Sequence, residues 1–331
     1  MQEYDRALGC LWGLALGDAL GMPTQSMSSE AIAATYGSIT SLHDADPSQP
    51  IAPGMPAGSV TDDTEQALLL ADELIRGNGT VDPRHFADAL ASWEEKMRAR
   101  GSLDLLGPST TAAIEGIRRG EPLQRVGRNG TTNGAAMRIA PVAIAFSGAE
   151  NDAELLAKVI EASSLTHNTT IGLAGAAAIA GSVAAGIRGA SVVEALQAGV
   201  GLAAQTERHG FWQAGGSIAV RAQFFLHVTA SMPRREVDGF VRDVVGTSVA
   251  SQESVVAALV LAQAYVDSPY AALLTAAQIG GDTDTVAAMC GAVLGAACGM
   301  AVWPQDAIRT IQTVSKIDIA SRVHKLLSLT R

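Results

Sequence analysis

Gly280-Gly281-Asp282-Thr283-Asp284-Thr285 runs directly into an apolar stretch, Val286 to Trp303, built largely of Ala and Gly. The composition of that stretch argues a buried helix, and its small side chains let a neighbouring helix approach closely. The six residues before it argue chemistry. Two Asp at i and i+2 inside a helix point to nearly opposite sides. They converge only if the glycine pair makes a tight turn and the helix begins just after them. A helix N-terminus offers free N–H groups and a positive dipole end, so carboxylates are tolerated there. Such oxygens suit a hard divalent cation. A charged N-cap on a buried helix accounts for the same residues without any ligand.

A second copy of this chemistry tips the balance towards the cation. Thr61-Asp62-Asp63-Thr64 follows a Pro/Gly-rich stretch, Pro53 to Gly58, and precedes a helical pattern of Ala67, Leu68, Leu70, Ala71 and Leu74. Four carboxylates in one site repel and raise each other's pKa unless cations neutralise them. Two divalent ions balance four Asp, and roughly 3.5–4 Å is the usual spacing of ions in hydrolytic two-metal sites. Nothing in the spacing itself brings the two stretches together in space.

The paired T-D-D-T and G-G-D-T-D-T motifs resemble those of the ADP-ribosylglycohydrolase family, which includes the dinitrogen reductase-activating glycohydrolases and the animal ADP-ribosyl-acceptor hydrolases. The resemblance begins at Gly13-Leu-Ala-Leu-Gly17-Asp18-Ala-Leu-Gly21 and ends after Gly291-Ala-Val-Leu-Gly295-Ala, so it spans nearly the whole chain. Asp18 sits among apolar residues, as a cap for a neighbouring loop or as support beneath the acidic site. The family continues G-x-P-x-E, whereas this chain reads Gly21-Met-Pro23-Thr24-Gln25. A neutral amide at Gln25 positions a ligand but is no general base. Further motifs follow in family order. Asp104 precedes Gly107-Pro108-Ser109-Thr110, in the segment where some members carry the carboxylate that activates water. Asn129-Gly130-Thr131-Thr132-Asn133-Gly134 leads to Met137-Arg138 and is similar to the segment that lines the family's ADP-ribose cleft. Thr166-His167 matches a T-H motif reaching towards the substrate. Read without the family, Met137 is a core residue, Arg138 pairs a carboxylate or a phosphate, and His167 is a buried structural histidine.

Composition narrows the class. The chain has 331 residues, 48% of them hydrophobic and only 4% aromatic, with a net charge of −10. That charge argues against nucleic acid or an anionic membrane as partner. Cys10, Cys290 and Cys298 lie in apolar contexts without metal-ligand spacing and read as buried thiols of a reducing compartment. The first residues, Met-Gln-Glu-Tyr-Asp-Arg, lack the basic start of a signal peptide, so a cytoplasmic location is expected. Ile171–Ile187 and Val286–Trp303 are read as buried core helices rather than membrane spans, because Ala and Gly drive insertion weakly. Helical periodicity recurs throughout, strand-like alternation is scarce, and no composition break marks a linker.

The resemblance therefore implies an all-α fold, a compact multi-helix orthogonal bundle, as one domain over 1–331. It implies a glycosidase cleaving the C1″ bond of an ADP-ribosylated side chain, arginine foremost, with two Mg²⁺ (or Mn²⁺). The ligands implied are Thr61, Asp62, Asp63, Asp282, Asp284 and Thr285. Asp104, Asp62 and Asp284 are the catalytic candidates. Asn133, Gly134, Gly130, Thr131, His167 and Gln25 are the substrate-binding ones. Hydrolysis of a small ribosylated or nucleoside-like compound, and ADP-ribose binding without turnover, stand as alternatives.

Overall fold

The computed structural model describes residues 2–99, 106–149, 151–206 and 208–329. Among them every regular element is a helix, and extended pairing is limited to three isolated bridges, Met27–Gly281, Thr132–Ala250 and Thr169–Phe211. The first two bridges join loops that meet at one place, the acidic cleft described below.

Two helices form the axis. Gln2–Gly21 packs antiparallel against Thr283–Cys298, and the seam is glycine on both sides. Gly9 faces Gly295 and Gly299, Gly13 faces Gly291, Gly17 faces Ala287, and Gly21 faces Asp284. Each step is four residues, about one turn. A Cβ added at Gly13, Gly17 or Gly21 would be driven into the partner's backbone. The missing side chains set the distance between the helices, and the register sets Asp18 and Gly21 beside the start of Thr283–Cys298. The N-terminal helix begins at Gln2, a turn earlier than the apolar pattern from residue 6 suggests. The closing run stops at Cys298, where Gly299 takes φ 80°. A short 3-10 turn, Met300–Val302, follows, and Trp303 Nε1 donates to Gly9 O at 2.8 Å.

Thr170–Ile187 is the second buried element. Among the described residues it is the one helix long and apolar enough to cross a membrane, with a mean hydropathy of 1.7, and 94% of it is buried inside the protein. Its Gly181 meets Gly199 of the helix Val192–Thr206. Small residues again buy proximity for a helix that presents no polar face.

Residues 37–60, rich in Gly, Pro, Ser and Asp, form a loop that packs a small core of Ala45, Ala52 and Met55 against Met22. Tyr36 Oη anchors it, donating to Pro23 O at 3.0 Å and accepting from Asp46 N at 2.7 Å. Gln49 Nε2 donates to Gln25 O at 2.8 Å, which holds the loop over the entrance to the cleft.

Candidate active site

The two acidic turns meet. Thr285 Oγ1 donates to Asp63 Oδ2 at 3.2 Å, and Asp62, Asp282, Asp284 and Thr285 share one cavity of ≈ 250 Å³. Each turn is shaped differently. At Gly280 and Gly281 the chain takes φ 90° and 83°, a region that L side chains avoid. Gly281 exchanges backbone hydrogen bonds with residues 26–27, Ser26 N→Gly281 O at 2.8 Å and Gly281 N→Met27 O at 2.9 Å. Asp282 N donates to Thr247 O at 2.8 Å. The helix then starts at Thr283, between the two Asp rather than after both. Asp282 occupies the N-cap position without capping. Its Oδ2 instead accepts from Asn133 Nδ2 at 2.5 Å, and Asn133 also donates to Ser254 Oγ at 2.9 Å.

The other turn is capped from outside. Asp18 of the N-terminal helix accepts the N–H of Thr61 at 3.0 Å, the N–H of Thr64 at 3.1 Å and both threonine hydroxyls. It serves as the missing N-cap of Asp62–Arg76, since Thr61 makes no side-chain cap of its own. Of the two roles read for Asp18, capping and support, the geometry combines both. Burial pushes its carboxyl up to about 6 against the opposing pull of these hydrogen bonds.

Asp63 is fully buried. Burial, then the charges of Asp284, Asp62, Asp18 and Asp282, hold its pKa well above the ordinary carboxylate range. Among the described residues its Oδ1 finds no hydrogen-bond partner. Burial raises Asp282 as well, with the Asn133 bond acting against it. An orphaned carboxylate oxygen among like charges is costly unless something positive answers it. Among the described residues no three His, Cys, Asp or Glu side chains close on a common point as they stand. The donor set is nonetheless all oxygen, the chemistry of Mg²⁺ or Mn²⁺. Thr61 and Thr285 turn their protons onto Asp18 and Asp63, which leaves their lone pairs for a cation.

The remaining sequence candidates separate. Gln25, Asn133 and Gly134 line the acidic cavity. Gln25 is buried, and its Nε2 has no acceptor among the described residues. Gly130 and Thr131 line a neighbouring cavity of ≈ 350 Å³ that shares only Pro108 and Thr132 with the first. His167 lines neither. It is fully buried, with Nε2 3.0 Å from Thr132 Oγ1, and burial with Arg138 nearby keeps its pKa far below the usual value. Asp104 falls in 100–105, outside the described residues; the residues just after it, Leu106 to Pro108, line the acidic cavity. Among the described residues Arg138 meets no carboxylate directly. Its Nη1 donates to Gln66 Oε1 at 2.9 Å, its Nη2 to Thr166 Oγ1, and burial lowers its pKa to about 10.

Sequence reasoning passed over Ile51, Leu106 and Val249, and read Met137 as core; all four line the acidic cavity. They supply the apolar part of its lining. Met137 lies within the cleft-lining motif, whereas no motif announces Ile51, Leu106 or Val249, which come from loops.

A profile of the ADP-ribosylglycohydrolase family matches residues 1–331. The uncharacterized protein YegU of Escherichia coli K12 is 31% identical over 299 residues, 90% of this chain and 89% of YegU. The ADP-ribosylarginine hydrolase Tri1 of Pseudomonas putida GB-1 is 33% identical over 171 residues, 50% of this chain and 43% of Tri1. Among solved structures, a chain of an ADP-ribosylglycohydrolase-related protein complex superposes with a TM-score of 0.70 at 23% identity, covering 100% of this chain and 99% of that one, a likeness of fold.

Proposed function

This chain belongs to the ADP-ribosylglycohydrolase family of glycosidase-type hydrolases, and from that membership we propose that it releases ADP-ribose from modified arginine with the help of two divalent ions. The observation that carries the reading is Asp63 Oδ1, buried among Asp62, Asp282 and Asp284 and without a hydrogen-bond partner among the described residues. Thr61, Asp62, Asp63, Asp282, Asp284 and Thr285 would hold Mg²⁺ or Mn²⁺, whose contribution is to fix ribose hydroxyls and make water more acidic. The arginine preference rests on the partial likeness to the ADP-ribosylarginine hydrolase Tri1.

The chain's own groups would do the rest. Ile51, Leu106, Met137 and Val249 keep bulk water from the reacting carbon. Asn133 holds Asp282 in place. Asp104 takes a proton from the attacking water, whose oxygen joins C1″ as the bond to the guanidinium nitrogen breaks. The departing nitrogen receives a proton, so the sum is addition of one water. The transition state is oxocarbenium-like, and carboxylates close to C1″ stabilise its positive charge.

A second reading is ADP-ribose binding without turnover, favoured by the neutral Gln25 in the cleft wall. Incubation with Mg²⁺ and ADP-ribosyl-arginine, ADP-ribosyl-serine and a nucleoside panel separates the two. Release of ADP-ribose from the arginine conjugate is expected. Tight ADP-ribose binding with every conjugate left intact would establish the binding module instead, and cleavage confined to the nucleoside panel would move the substrate to small metabolites.

A further inference from the structure

A line of hydrogen bonds leaves the acidic cluster, crosses the core and surfaces in the neighbouring cavity. Gln66 Nε2 donates to Asp62 Oδ2 at 2.8 Å, and Gln66 Oε1 accepts from Arg138 Nη1 at 2.9 Å. Arg138 Nη2 donates to Thr166 Oγ1. Thr166 Oγ1 lies 2.7 Å from His167 Nδ1, His167 Nε2 lies 3.0 Å from Thr132 Oγ1, and Thr132 Oγ1 lies 2.9 Å from Ser109 Oγ. Gln66, Arg138, Thr166 and His167 are all buried away from water.

The far end fixes the direction of the line. Thr132 Oγ1 donates to Ser109 Oγ, so its contact with His167 Nε2 is one it accepts. The neutral ring then takes the Thr166 proton on Nδ1, and Thr166 Oγ1 still accepts from Arg138, which can only donate. A neutral imidazole with Nδ1 accepting carries its proton on Nε2 and donates it to Thr132. Thr132 then donates onward to Ser109 Oγ, the geometry that the structure shows. Ser109 ends the line with its own proton still to place, and among the described residues no acceptor receives it. The ring is neutral because burial and the Arg138 charge both oppose protonation.

We propose that Arg138, through Thr166, His167 and Thr132, is a positioning residue that holds Ser109 Oγ as a hydrogen-bond donor towards an anionic, phosphoryl-type oxygen of the ligand. Two features of the same cavity favour an anion. Arg119 and Arg128 line it, both paired with Glu121, which lines it too, so its charged side chains carry one positive charge in excess. Ser109 also sits in the first turn of the helix Pro108–Arg118, the positive end of its dipole. Run in reverse, the line would offer a lone pair at this point and repel the anion. The ligand class rests on the ADP-ribosyl reading above; the direction of the line does not.

Two measurements separate those parts. Histidine-labelled protein is examined by long-range ¹H–¹⁵N NMR from pH 5.5 to 8.5. The expected His167 signature is a protonated Nε2, a bare Nδ1 and no titration across the range. A ring protonated at Nδ1, or one that titrates, would overturn the proposal. Affinity for ADP-ribose is then compared among wild type, Ser109→Ala and Ser109→Thr. A hydrogen bond to a charged group predicts about a ten- to hundredfold loss for the alanine and recovery with the threonine, which keeps the hydroxyl. Equal affinity of wild type and Ser109→Ala would also overturn it. A wild-type chain that ignores ADP-ribose yet shows the Nε2–H ring would remove the functional reading and leave the direction of the line intact.

Discussion

Thr285 Oγ1 donates to Asp63 Oδ2 at 3.2 Å, a single bond across 222 residues of chain. It ties the start of Asp62–Arg76 to the start of Thr283–Cys298 and gathers four aspartates about one cavity. Without a counter-charge the buried like charges there oppose one another, and several outcomes turn on it.

Asp63→Asn removes a buried charge that Asp284, Asp62, Asp18 and Asp282 all oppose. The metal-free variant should melt above the metal-free wild type, by on the order of 2–4 °C for each kcal/mol recovered. It should also lose most of the stabilisation that Mg²⁺ brings. Scanning fluorimetry with and without Mg²⁺ reads both effects, and a variant that melts lower in both conditions contradicts the account.

Asp282→Asn should bind at least one ion fewer and lose ~100-fold or more of its turnover. Calorimetric titration with Mn²⁺ counts the ions directly. Both ions retained at full turnover would remove Asp282 from the ligand set.

The pH dependence has a definite sign. Asp18 is raised from an ordinary 3.8 to about 6. A carboxyl that is harder to ionise when folded binds its proton more tightly in the folded state. Its contribution is full below the unfolded pKa and is lost as pH climbs through the folded one. Metal-free protein should therefore lose on the order of 2–3 kcal/mol between about pH 4 and 6 from Asp18. The loss should extend to higher pH through Asp63, whose pKa is raised further. Mg²⁺ should flatten the curve and release protons on binding, measurable by calorimetry in buffers of different ionisation enthalpy.

Gly17→Ala places a methyl against the Ala287 backbone, where there is no flexible side chain to yield. A cost of about 3 kcal/mol or more is expected, at the upper end for overpacked cores. Urea denaturation measures it. Weaker Mg²⁺ binding should accompany it, because Asp18 sits one residue away on the same helix.

Gln25→Leu keeps the volume and removes an Nε2 that has no acceptor among the described residues. Stability should be unchanged or slightly higher. If that amide meets the substrate, KM should rise severalfold at constant fold stability; an unchanged KM would assign Gln25 to wall packing alone.

Much of the architecture is written locally. The spacing predicts a helix over 83–99, and Pro83–Ala99 is one; Gly77 and Gly79 end Asp62–Arg76 as glycines do. Helix period and turn residues act within a few positions, so one sequence suffices to read them. The acidic motifs are legible for the same reason. What joins them is not. Asp18 caps a helix whose first residues lie 43 to 46 positions away. Arg138 finds amide and hydroxyl partners 72 and 28 positions off. A buried donor takes whatever acceptor the packing supplies, and chemistry alone does not name it. His167 has a motif that points to the substrate, yet it reaches the cleft only through Thr132. Ile51 sits in a loop without periodicity, so nothing marks it as a wall of the cavity.

The glycine seam between Gln2–Gly21 and Thr283–Cys298 has a practical consequence. Half of the acidic cluster starts the helix Asp62–Arg76, which is capped from one side of that seam, and half begins the other side, so neither segment alone is a reduced version of the enzyme. Fragments severed in an exposed connection between them, such as the turn near Gly189, should be inert singly and regain competence only on reassembly.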